Sequence, residues 1–391
     1  MEILEQKLNR LRHDCKGRKI RIMIIGLGSV GNYLLDYLMS QGNEKLEICV
    51  VGRNKEKLLS DVNIVRVASL IRGQNRNDVQ VIDGVDLNDV GAIAECLKAN
   101  QPDIVVNSSR AYSGLKYGSI SWGNVRAYGI WAPLSIKYIK NIMAAYEEAG
   151  CNAIVINTSY SDAVIPWLKS AGKAYPDFGS GNINHLLPRI RFAVAEQFNI
   201  ADYWNIDITY AVSHFHDVVI SKEGHTEGIE QLIYIEYGGK RLSPDMEQVF
   251  SGCRIPMPVD AKRNMMNASS NFEIIQGVLT AACSGERVKL HCPGAAGEIG
   301  GYPIVLDGRG ENVRAYIDES RFSLEAMRGK NRESIYLDGI EDVSDGSLYY
   351  TDELIDKVHG VFGVNLMKRV SFEEIEDAAE FLIKEIIEKN R

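Results

Sequence analysis

The stretch RIMIIGLGSVGNYLLD, from Arg21 to Asp36, decides how this chain folds. A run of β-branched and apolar residues, Ile22 to Ile25, leads directly into three glycines with the spacing G-x-G-x-x-G, which are Gly26, Gly28 and Gly31. An amphipathic segment follows the last glycine. This order predicts a buried strand, a tight turn and a helix.

Each glycine of the turn meets a different physical need. Gly26 allows the chain to reverse sharply, Gly28 lets a pyrophosphate approach the backbone without a Cβ, and Gly31 lets the helix pack closely on the strand. Ser29 and Val30 open the helix, whose free N–H groups and positive dipole end favour phosphate. The turn therefore predicts a dinucleotide-binding site, and the alternative is an ordinary glycine-rich turn.

The end of the second predicted strand, Leu46 to Val51, bears on which dinucleotide binds. When this fold binds NAD, an acidic residue at that point holds the adenosine ribose hydroxyls. Here the strand closes at Gly52 and is followed by Arg53 and Asn54, with Lys57 nearby. A 2′-phosphate suits these residues better than a bare ribose, so NADP is favoured over NAD. The alternative is that Arg53 and Lys57 belong to a solvated charged turn.

Strands and helices go on alternating after this unit, which predicts an α/β fold with a doubly wound parallel sheet of the Rossmann type. Further strands are expected at 79–82, 104–107 and 153–156, and helices at 58–71, 89–99 and 133–148. Ser108 and Ser109 follow the fourth strand. Because ligands lie beyond the carboxyl ends of such strands, we expect both serines near the cofactor.

Three segments are expected along the chain. Residues 1–18 form an N-terminal helical arm, residues 19–163 the dinucleotide-binding domain, and residues 164–391 an α+β substrate and catalytic domain. The glycine- and serine-bearing stretch Arg110 to Asn124 suits a mobile flap over a site, or alternatively a surface loop. Residues 311–365 give no clear pattern, and an amphipathic helix is expected from Phe372 to Glu388.

Composition limits the kinds of partner. The formal net charge is −8 with both signs mixed along the chain, which argues against a nucleic-acid or membrane surface and favours small molecules. Seven cysteines are scattered singly without a C-x-x-C pair, as in proteins of a reducing compartment. With no secretory signal at the start and no long apolar run, we expect a cytoplasmic protein.

The later motifs resemble the lactate and malate dehydrogenase family from Arg21 to about Asp217, and more weakly to the C-terminal helix. The family has an arginine on a mobile loop, a strand ending in Asn, a G-S-G-x-N turn, an R-x-R-F helix and a catalytic histidine. This chain shows, in the same order, Arg126, Asn157, GSGN at 179–182, RIRF at 189–192 and His214.

The resemblance implies a role for each of these residues in a dehydrogenase that acts on a small carboxylate substrate of the 2-hydroxy or 2-oxo acid type. Arg189 would hold the substrate carboxylate in a two-pronged ion pair, with Arg191 as the competing candidate. Arg126 would polarise the reacting carbonyl, Asn157 would hydrogen-bond the same oxygen, and His214 would supply the proton. A homodimer or homotetramer is also implied.

Two departures from that family stand out. The family has an Asp in the turn before the arginine helix to orient the histidine, whereas residues 183–186 here carry no acid, so Asp217 or another acid would take that part. The catalytic histidine is His214 or His216, with His214 preferred. On a strand the two would face one cavity. A metal site with Asp217 and His225 matches no ligand pattern, so no metal is expected.

A second resemblance is to the cofactor half of saccharopine and opine dehydrogenases. It rests on 85–89, 102–107 and the tip GRNKEKL, which begins at Gly52. It implies reduction of an imine formed between an amino acid and a 2-oxo acid. A third hypothesis, from another class, is a nucleotide-binding regulatory protein without catalysis, and the missing acid at 183–186 is its main support.

Overall fold

The computed structural model describes residues 3–74 and 76–390. Four residues of the segments predicted above lie outside these ranges: Met1, Glu2, Asn75 and Arg391. Its first part is built on a six-stranded parallel sheet with strand order β3-β2-β1-β4-β5-β6. In chain order the elements are α1 (Leu4–Asp14), β1 (Ile20–Ile25), α2 (Ser29–Ser40), β2 (Leu46–Val51), α3 (Lys55–Ile71), β3 (Asp78–Ile82), α4 (Val90–Asn100), β4 (Ile104–Asn107), α5 (Gly114–Ile120), α6 (Ala132–Glu148), β5 (Ile154–Asn157), α7 (Ser161–Ser170) and β6 (Phe178–Gly179).

The sheet is buried on both faces, as parallel sheets require. In β1, Ile22 and Ile24 join the core that contains α2 and residues after 264, whereas Met23 and Ile25 join the core that contains α4 and α6. The alternation follows from the two-residue period of a strand. The order of the strands in the six-stranded sheet changes direction between β1 and β4. At such a point a crevice opens at the carboxyl ends of the two strands.

The rest of the chain adds helices and three small antiparallel sheets, β7-β8-β9, β10-β11-β12 and β13-β14-β15. In chain order its elements are α8 (Asn182–Phe198), β7 (Asp207–Ala211), α9 (His214–Glu223), β8 (Leu232–Tyr237), β9 (Lys240–Leu242), α10 (Met246–Gly252), α11 (Asn264–Leu279), β10 (Arg287–Pro293), β11 (Gly301–Asp307), β12 (Arg314–Ile317), α12 (Leu324–Leu337), β13 (Ile340–Ser344), β14 (Ser347–Tyr350), α13 (Asp352–Phe362), β15 (Arg369–Ser371) and α14 (Ile375–Phe381).

Short irregular helices complete the backbone. Turns of 3-10 helix lie at Gly129–Trp131, Tyr203–Asn205, Ala261–Arg263 and Ala295–Gly297, and π-helical turns lie at Ser121–Val125, Thr280–Ser284 and Leu382–Ile387. The predicted α/β fold with a doubly wound parallel sheet and a further α+β part is confirmed.

One local expectation is wrong: the stretch with His214 and His216 forms the first turn of α9 rather than a strand. The stretch expected as a flap over a site, or alternatively as a surface loop, contains α5 and the π turn Ser121–Val125, and its first residues line the cavity described below, while its mobility stays a prediction. Residues 311–365, for which the sequence gave no clear pattern, contain regular strands and helices. The predicted domain division at residue 163 falls within α7, and it stays a prediction.

Within the described ranges, 3–74 and 76–390, no helix combines the length and the apolar character needed to cross a membrane.

Candidate active site

A cavity of about 1320 Å³ opens at the carboxyl ends of β1, β2 and β4. Its other walls come from α5 and the loop before it, from α8 and α9, and from the residues just before and within the first turn of α11. Pockets for one small ligand span about 300–1,000 Å³, so this cavity has room for a dinucleotide and a small substrate together. Eight of the nine predicted cofactor residues line it: Gly26, Gly28, Ser29, Val30, Arg53, Asn54, Ser108 and Ser109.

The glycine turn has the geometry that the sequence predicts. Gly26 adopts a φ of +90°, a conformation that side-chain-bearing residues rarely take. A Cβ on Gly31 would lie 2.4 Å from the carbonyl oxygen of Gly26, so this glycine permits the close approach of α2 to β1 and lies behind the cavity wall. A Cβ on Gly28 would meet no described atom within 4 Å. The open space at Gly28 is where a pyrophosphate would approach the backbone.

Two positive side chains lie where the second strand ends. Asn54 caps α3, because its Oδ1 accepts a hydrogen bond from the backbone N–H of Lys57 at 2.9 Å. The guanidinium of Arg53 lines the cavity and forms no ion pair with any described residue, while Lys57 pairs with Asp61. No carboxylate from this strand end lines the cavity. These residues fit a 2′-phosphate better than two ribose hydroxyls.

The serines after β4 are fixed against the glycine turn. The hydroxyl of Ser108 donates to the carbonyl oxygen of Gly26 at 2.6 Å, and that of Ser109 donates to Asn107 Oδ1 at 2.5 Å. Both serines line the cavity, and these hydrogen bonds fix the positions of their hydroxyl groups.

His214 is held by a carboxylate from a distant part of the chain. Its Nδ1 lies 2.9 Å from Oδ2 of Asp338, a fully buried residue that follows α12. The same carboxylate accepts hydrogen bonds from the hydroxyl of Tyr160 and from the backbone N–H of Tyr128, each at 2.7 Å. Because an ionised carboxylate only accepts, Nδ1–H of His214 donates and Nε2 is left without a partner among the described residues.

The surroundings of His214 favour its protonated form. Burial alone would lower the pKa of His214, but the carboxylates of Asp338, Asp162 and Asp217 outweigh it and raise that pKa. Asp162 accepts the backbone N–H of His214 at 3.1 Å, and burial raises the pKa of Asp162 to about 6. His214 lines the cavity, so its free Nε2 is available to exchange a proton with a ligand.

Arg189 lies in the wall opposite the glycine turn and is 3% exposed. Its Nη1 donates to the carbonyl oxygen of Cys253 at 2.9 Å and its Nη2 contacts the sulfur of Met257 at 3.0 Å. Nε has no partner among the described residues, although it is buried. A buried guanidinium with an unused donor can bind an anionic group. Arg191, the competing candidate, bonds the carbonyl oxygen of Ile206 and does not line the cavity.

Arg126 is placed away from the cavity. Its guanidinium pairs with Glu223 and Glu227, and it lies over the rings of Trp122 and Phe215 at 5.5 and 5.9 Å from their centroids. In this arrangement the charge of Arg126 is neutralised by its own neighbours.

Asn157 and His216 also lie outside the cavity wall. Asn157 is fully buried and joins β4 to β5, because Nδ2 of Asn107 donates to its Oδ1 at 2.9 Å. His216 Nδ1 lies 2.7 Å from the hydroxyl of Ser334. The expectation that His214 and His216 face one cavity is wrong, since on a helix residues two apart point in different directions.

One group of side chains within 3–74 and 76–390 has metal-ligand spacing, namely Glu223, His225 and Glu227. The guanidinium of Arg126 already pairs with both of its carboxylates. Arg126 therefore offsets the negative charge of the two carboxylates without a metal ion.

Sequence reasoning missed Asp338 and Arg263. Asp338 lies 124 residues after His214 in a region without a readable pattern, and the absence of an acid at 183–186 was the only signal that such a residue is needed. Arg263 precedes α11 and lines the cavity. The side chain of Asn182, the last residue of the GSGN turn, lies outside what the structure describes.

Comparison with known proteins agrees with this architecture. Residues 22–117 match the family model described as the saccharopine dehydrogenase NADP binding domain. A comparison of the sequence with curated proteins gives no match.

Several solved structures are similar to the whole fold. A lactate dehydrogenase from a Medee basin deep-sea metagenome library has a TM-score of 0.52 at 15% identity, over 82% of this chain and 97% of that one. The lactate dehydrogenase of Cryptosporidium parvum, complexed with lactic acid and β-nicotinamide adenine dinucleotide, gives 0.51 at 14% identity, over 82% and 97%. The malate dehydrogenase of Plasmodium falciparum gives 0.53 at 13% identity, over 87% and 99%.

Both resemblances inferred from the sequence are thereby supported, one by a sequence match to the cofactor half and the other by the fold. The chain has a dehydrogenase-like fold whose first part resembles an NADP-binding domain. His214, Arg189 and Asp217 line its cavity, and Asp338 and Asp162 contact His214 from behind the cavity wall.

Proposed function

We propose that this protein is an NADP-preferring dehydrogenase that acts on a small substrate carrying a carboxylate, of the 2-hydroxy or 2-oxo acid type. The observation that carries the proposal is that His214, held by Asp338, lines the same cavity as Arg189, whose Nε has no partner among the described residues. One group can move a proton and the other can hold an anion.

The residues around the cavity fit a nicotinamide dinucleotide. The open space at Gly28 and the start of α2 suit the pyrophosphate, and Arg53 suits a 2′-phosphate. When bound, the cofactor supplies or accepts a hydride at C4 of its nicotinamide ring.

The chain's own residues would handle the proton and the substrate. Arg189 would bind the substrate carboxylate and thereby fix the position of the neighbouring carbon. In oxidation of a secondary alcohol, that carbon gives up a hydride and its hydroxyl gives up a proton to Nε2 of His214, which yields a carbonyl group. Asp338 would hold the imidazole ring in place and stabilise its charged form.

Two variants test this proposal with purified protein and a panel of 2-oxo acids. NADPH oxidation is followed at 340 nm. We expect His214→Gln to lose turnover by a factor of about 100 or more while keeping NADPH affinity, as expected on removal of a general acid. We expect Arg189→Leu to raise KM chiefly. The proposal fails if the wild-type protein does not bind NADPH, or if no oxo acid is reduced.

A further inference from the structure

A second, smaller cavity of about 140 Å³ adjoins the large one, and the proposed proton transfer does not use it. Its walls come largely from α5, from the turn between β5 and α7, and from the first residue of α9. The two cavities share six lining residues: Arg110, Gly114, Gly118, Tyr128, His214 and Asn267. Because His214 lies in both walls, a substrate whose reacting carbon is beside this histidine can extend its chain into the smaller cavity.

The size of the smaller cavity limits what enters it. Its volume is well below the roughly 300 Å³ of the smallest pockets for a whole ligand, so it admits a short extension of a ligand. Four hydroxyl groups in its wall already donate to oxygen atoms of the chain itself: those of Thr158, Tyr160, Ser161 and Ser180. Their protons are therefore not available to a ligand.

Ser159 and Asp162 differ from these four groups, although both line the smaller cavity and are deeply buried. Ser159 is 3% exposed, and its hydroxyl forms no hydrogen bond with the residues that the structure describes. Asp162 is 4% exposed; its Oδ1 accepts the backbone N–H of His214 at 3.1 Å, and no described side chain donates to its carboxylate. Because buried polar groups are normally paired, we expect a ligand to supply the missing partner.

The charges around the smaller cavity favour a neutral polar group. Burial raises the pKa of Asp162 to about 6, so this carboxyl group is largely ionised at pH 7.5. An anionic group would be repelled by the carboxylates of Asp162 and Asp338, and a cationic group would compete with protonated His214 for them. An apolar group would leave Ser159 and Asp162 without partners. A hydroxyl group can donate to Asp162 and accept from Ser159.

We propose that Ser159 and Asp162 bind a hydroxyl group on the substrate chain beyond the reacting carbon. The substrate class is then a hydroxylated 2-oxo acid and its dihydroxy acid product, as in sugar acids, rather than an acid with an apolar side chain. The bound hydroxyl takes no part in hydride transfer. This inference rests on the proposed function, because it takes His214 as the group beside the reacting carbon.

The test compares matched 2-oxo acids with the protein saturated with NADPH at pH 7.5. The members of each pair differ by one hydroxyl group: pyruvate and 3-hydroxypyruvate, 2-oxobutanoate and 4-hydroxy-2-oxobutanoate, and 2-oxopentanoate and 5-hydroxy-2-oxopentanoate. The three pairs place that hydroxyl at increasing distance from the carbonyl carbon. For at least one pair we expect kcat/KM, measured at 340 nm, to be at least about tenfold higher for the hydroxylated acid.

Variants separate the smaller cavity from general effects. In the preferred pair, we expect Ser159→Ala to lower kcat/KM for the hydroxylated acid at least about fivefold more than for its partner. Asp162→Asn keeps an acceptor for the backbone of His214 and should lose part of the preference, because a charged acceptor forms the stronger hydrogen bond. Ser60→Ala, at an exposed position on α3, is the matched control and should keep the full preference.

Three results would overturn the inference. In one, no pair shows a preference for the hydroxylated acid. In another, Ser159→Ala lowers kcat/KM equally for both members of the preferred pair. In the third, Ser159→Ala weakens NADPH binding as much as it lowers kcat/KM for the hydroxylated acid, which would assign the serine to the cofactor.

The proposed function fails in a different way. If the protein does not bind NADPH, or reduces none of the six acids, the proposed function is wrong and this inference falls with it. If the protein reduces the simple oxo acids and the added hydroxyl has no effect, only the inference about Ser159 and Asp162 is wrong.

Discussion

Among single residues, Asp338 matters most for the chemistry of the cavity. It is fully buried and accepts hydrogen bonds from His214 Nδ1, from a tyrosine hydroxyl and from a backbone N–H. These bonds fix which nitrogen of His214 carries a proton and which faces the ligand. The lactate and malate dehydrogenase family has an acid before its arginine helix, whereas in this chain the carboxylate that contacts His214 Nδ1 comes from Asp338.

Replacing Asp338 tests that role. We expect Asp338→Asn to lower kcat/KM by about 10²- to 10⁴-fold, because the amide can stabilise the wrong tautomer and cannot stabilise the imidazolium. Steady-state NADPH oxidation measures the effect. Asp342→Asn, which removes a half-buried partner of the exposed Arg332, is the control and should leave the rate unchanged.

The same variant gives a pH dependence with a definite sign. In the reductive direction His214 must be protonated, and the surrounding carboxylates outweigh burial and raise its pKa. The wild-type rate should therefore fall only as pH rises through that raised pKa. Without the charge of Asp338 the pKa of His214 drops, so the fall should occur at lower pH in Asp338→Asn. Identical pH profiles of kcat/KM for the two proteins would contradict this coupling.

In our interpretation, Arg53 determines whether the protein prefers NADP or NAD. Arg53→Asp places a carboxylate where a 2′-phosphate would bind, so we expect NADPH affinity to fall by at least about tenfold and NADH affinity to change little or improve. Fluorescence titration with both cofactors measures the two affinities. Equal losses for NADPH and NADH would remove the reason for preferring NADP.

The sequence predicted the positions of single residues where the local backbone determines them, while their roles in binding stay predictions. Eight of the nine expected cofactor residues line the cavity, because a glycine turn and the strand ends specify where the chain runs. Arg126, Asn157, Arg189 and His214 were chosen by their order along the chain, with His216 as the alternative to His214. Order fixes neither the direction of a side chain nor its partners, and only Arg189 and His214 of this set line the cavity.

At the scale of elements, the glycines of the turn have different roles, since one leaves room for the cofactor and another allows α2 to pack on β1. Gly28 has an extended backbone and an open Cβ position, whereas Gly31 packs against the carbonyl oxygen of Gly26. We expect Gly28→Leu to weaken NADPH binding by at least about tenfold and to change the free energy of unfolding by less than about 0.5 kcal/mol. Gly31→Leu should instead destabilise the fold by about 1–3 kcal/mol or more. Cofactor titration and urea denaturation distinguish the two, and similar behaviour of both variants would refute this division of roles.

Periodic apolar runs located the central strands, and β2 has the predicted bounds. The segment after β4 was less predictable, because its glycines, serines and aromatic residues are typical of a loop. In the structure part of it is helical, and the ring of Tyr117 packs against that of Trp131 with centroids 5.0 Å apart. Side-chain packing of this kind is not encoded in a local propensity pattern.

At the scale of the whole molecule, the N-terminal helix α1 joins parts of the chain that are far apart in sequence. Arg12 donates to the carbonyl oxygens of Gly310 and Glu311, and Asn9 accepts from the backbone of Val313. On another side, Lys7 donates to both carboxylate oxygens of Asp177 at 2.8 and 2.9 Å, with only 1% of its side chain exposed. The sequence predicted an N-terminal helical arm here but gave no sign of a buried ion pair.

Removing Lys7 should reveal how strongly α1 stabilises the sheet. Asp177 also accepts the backbone N–H of Val155 at 2.8 Å, so it stays buried when its partner is lost. We expect Lys7→Met to lower the free energy of unfolding by about 3–5 kcal/mol at pH 8, the usual cost of an uncompensated buried charge. Urea denaturation measures the loss.

The loss should shrink as pH falls, because burial already raises the pKa of Asp177 in spite of Lys7, and removing the lysine raises it further. The folded variant then binds a proton more tightly than the unfolded chain, so its stability falls as pH rises from the unfolded pKa toward the folded one. Lys7→Met combined with Asp177→Asn should recover part of the stability at pH 8. An equal loss at pH 5 and pH 8 would show that the methionine variant suffers from altered packing of α1 and not from an unpaired carboxylate.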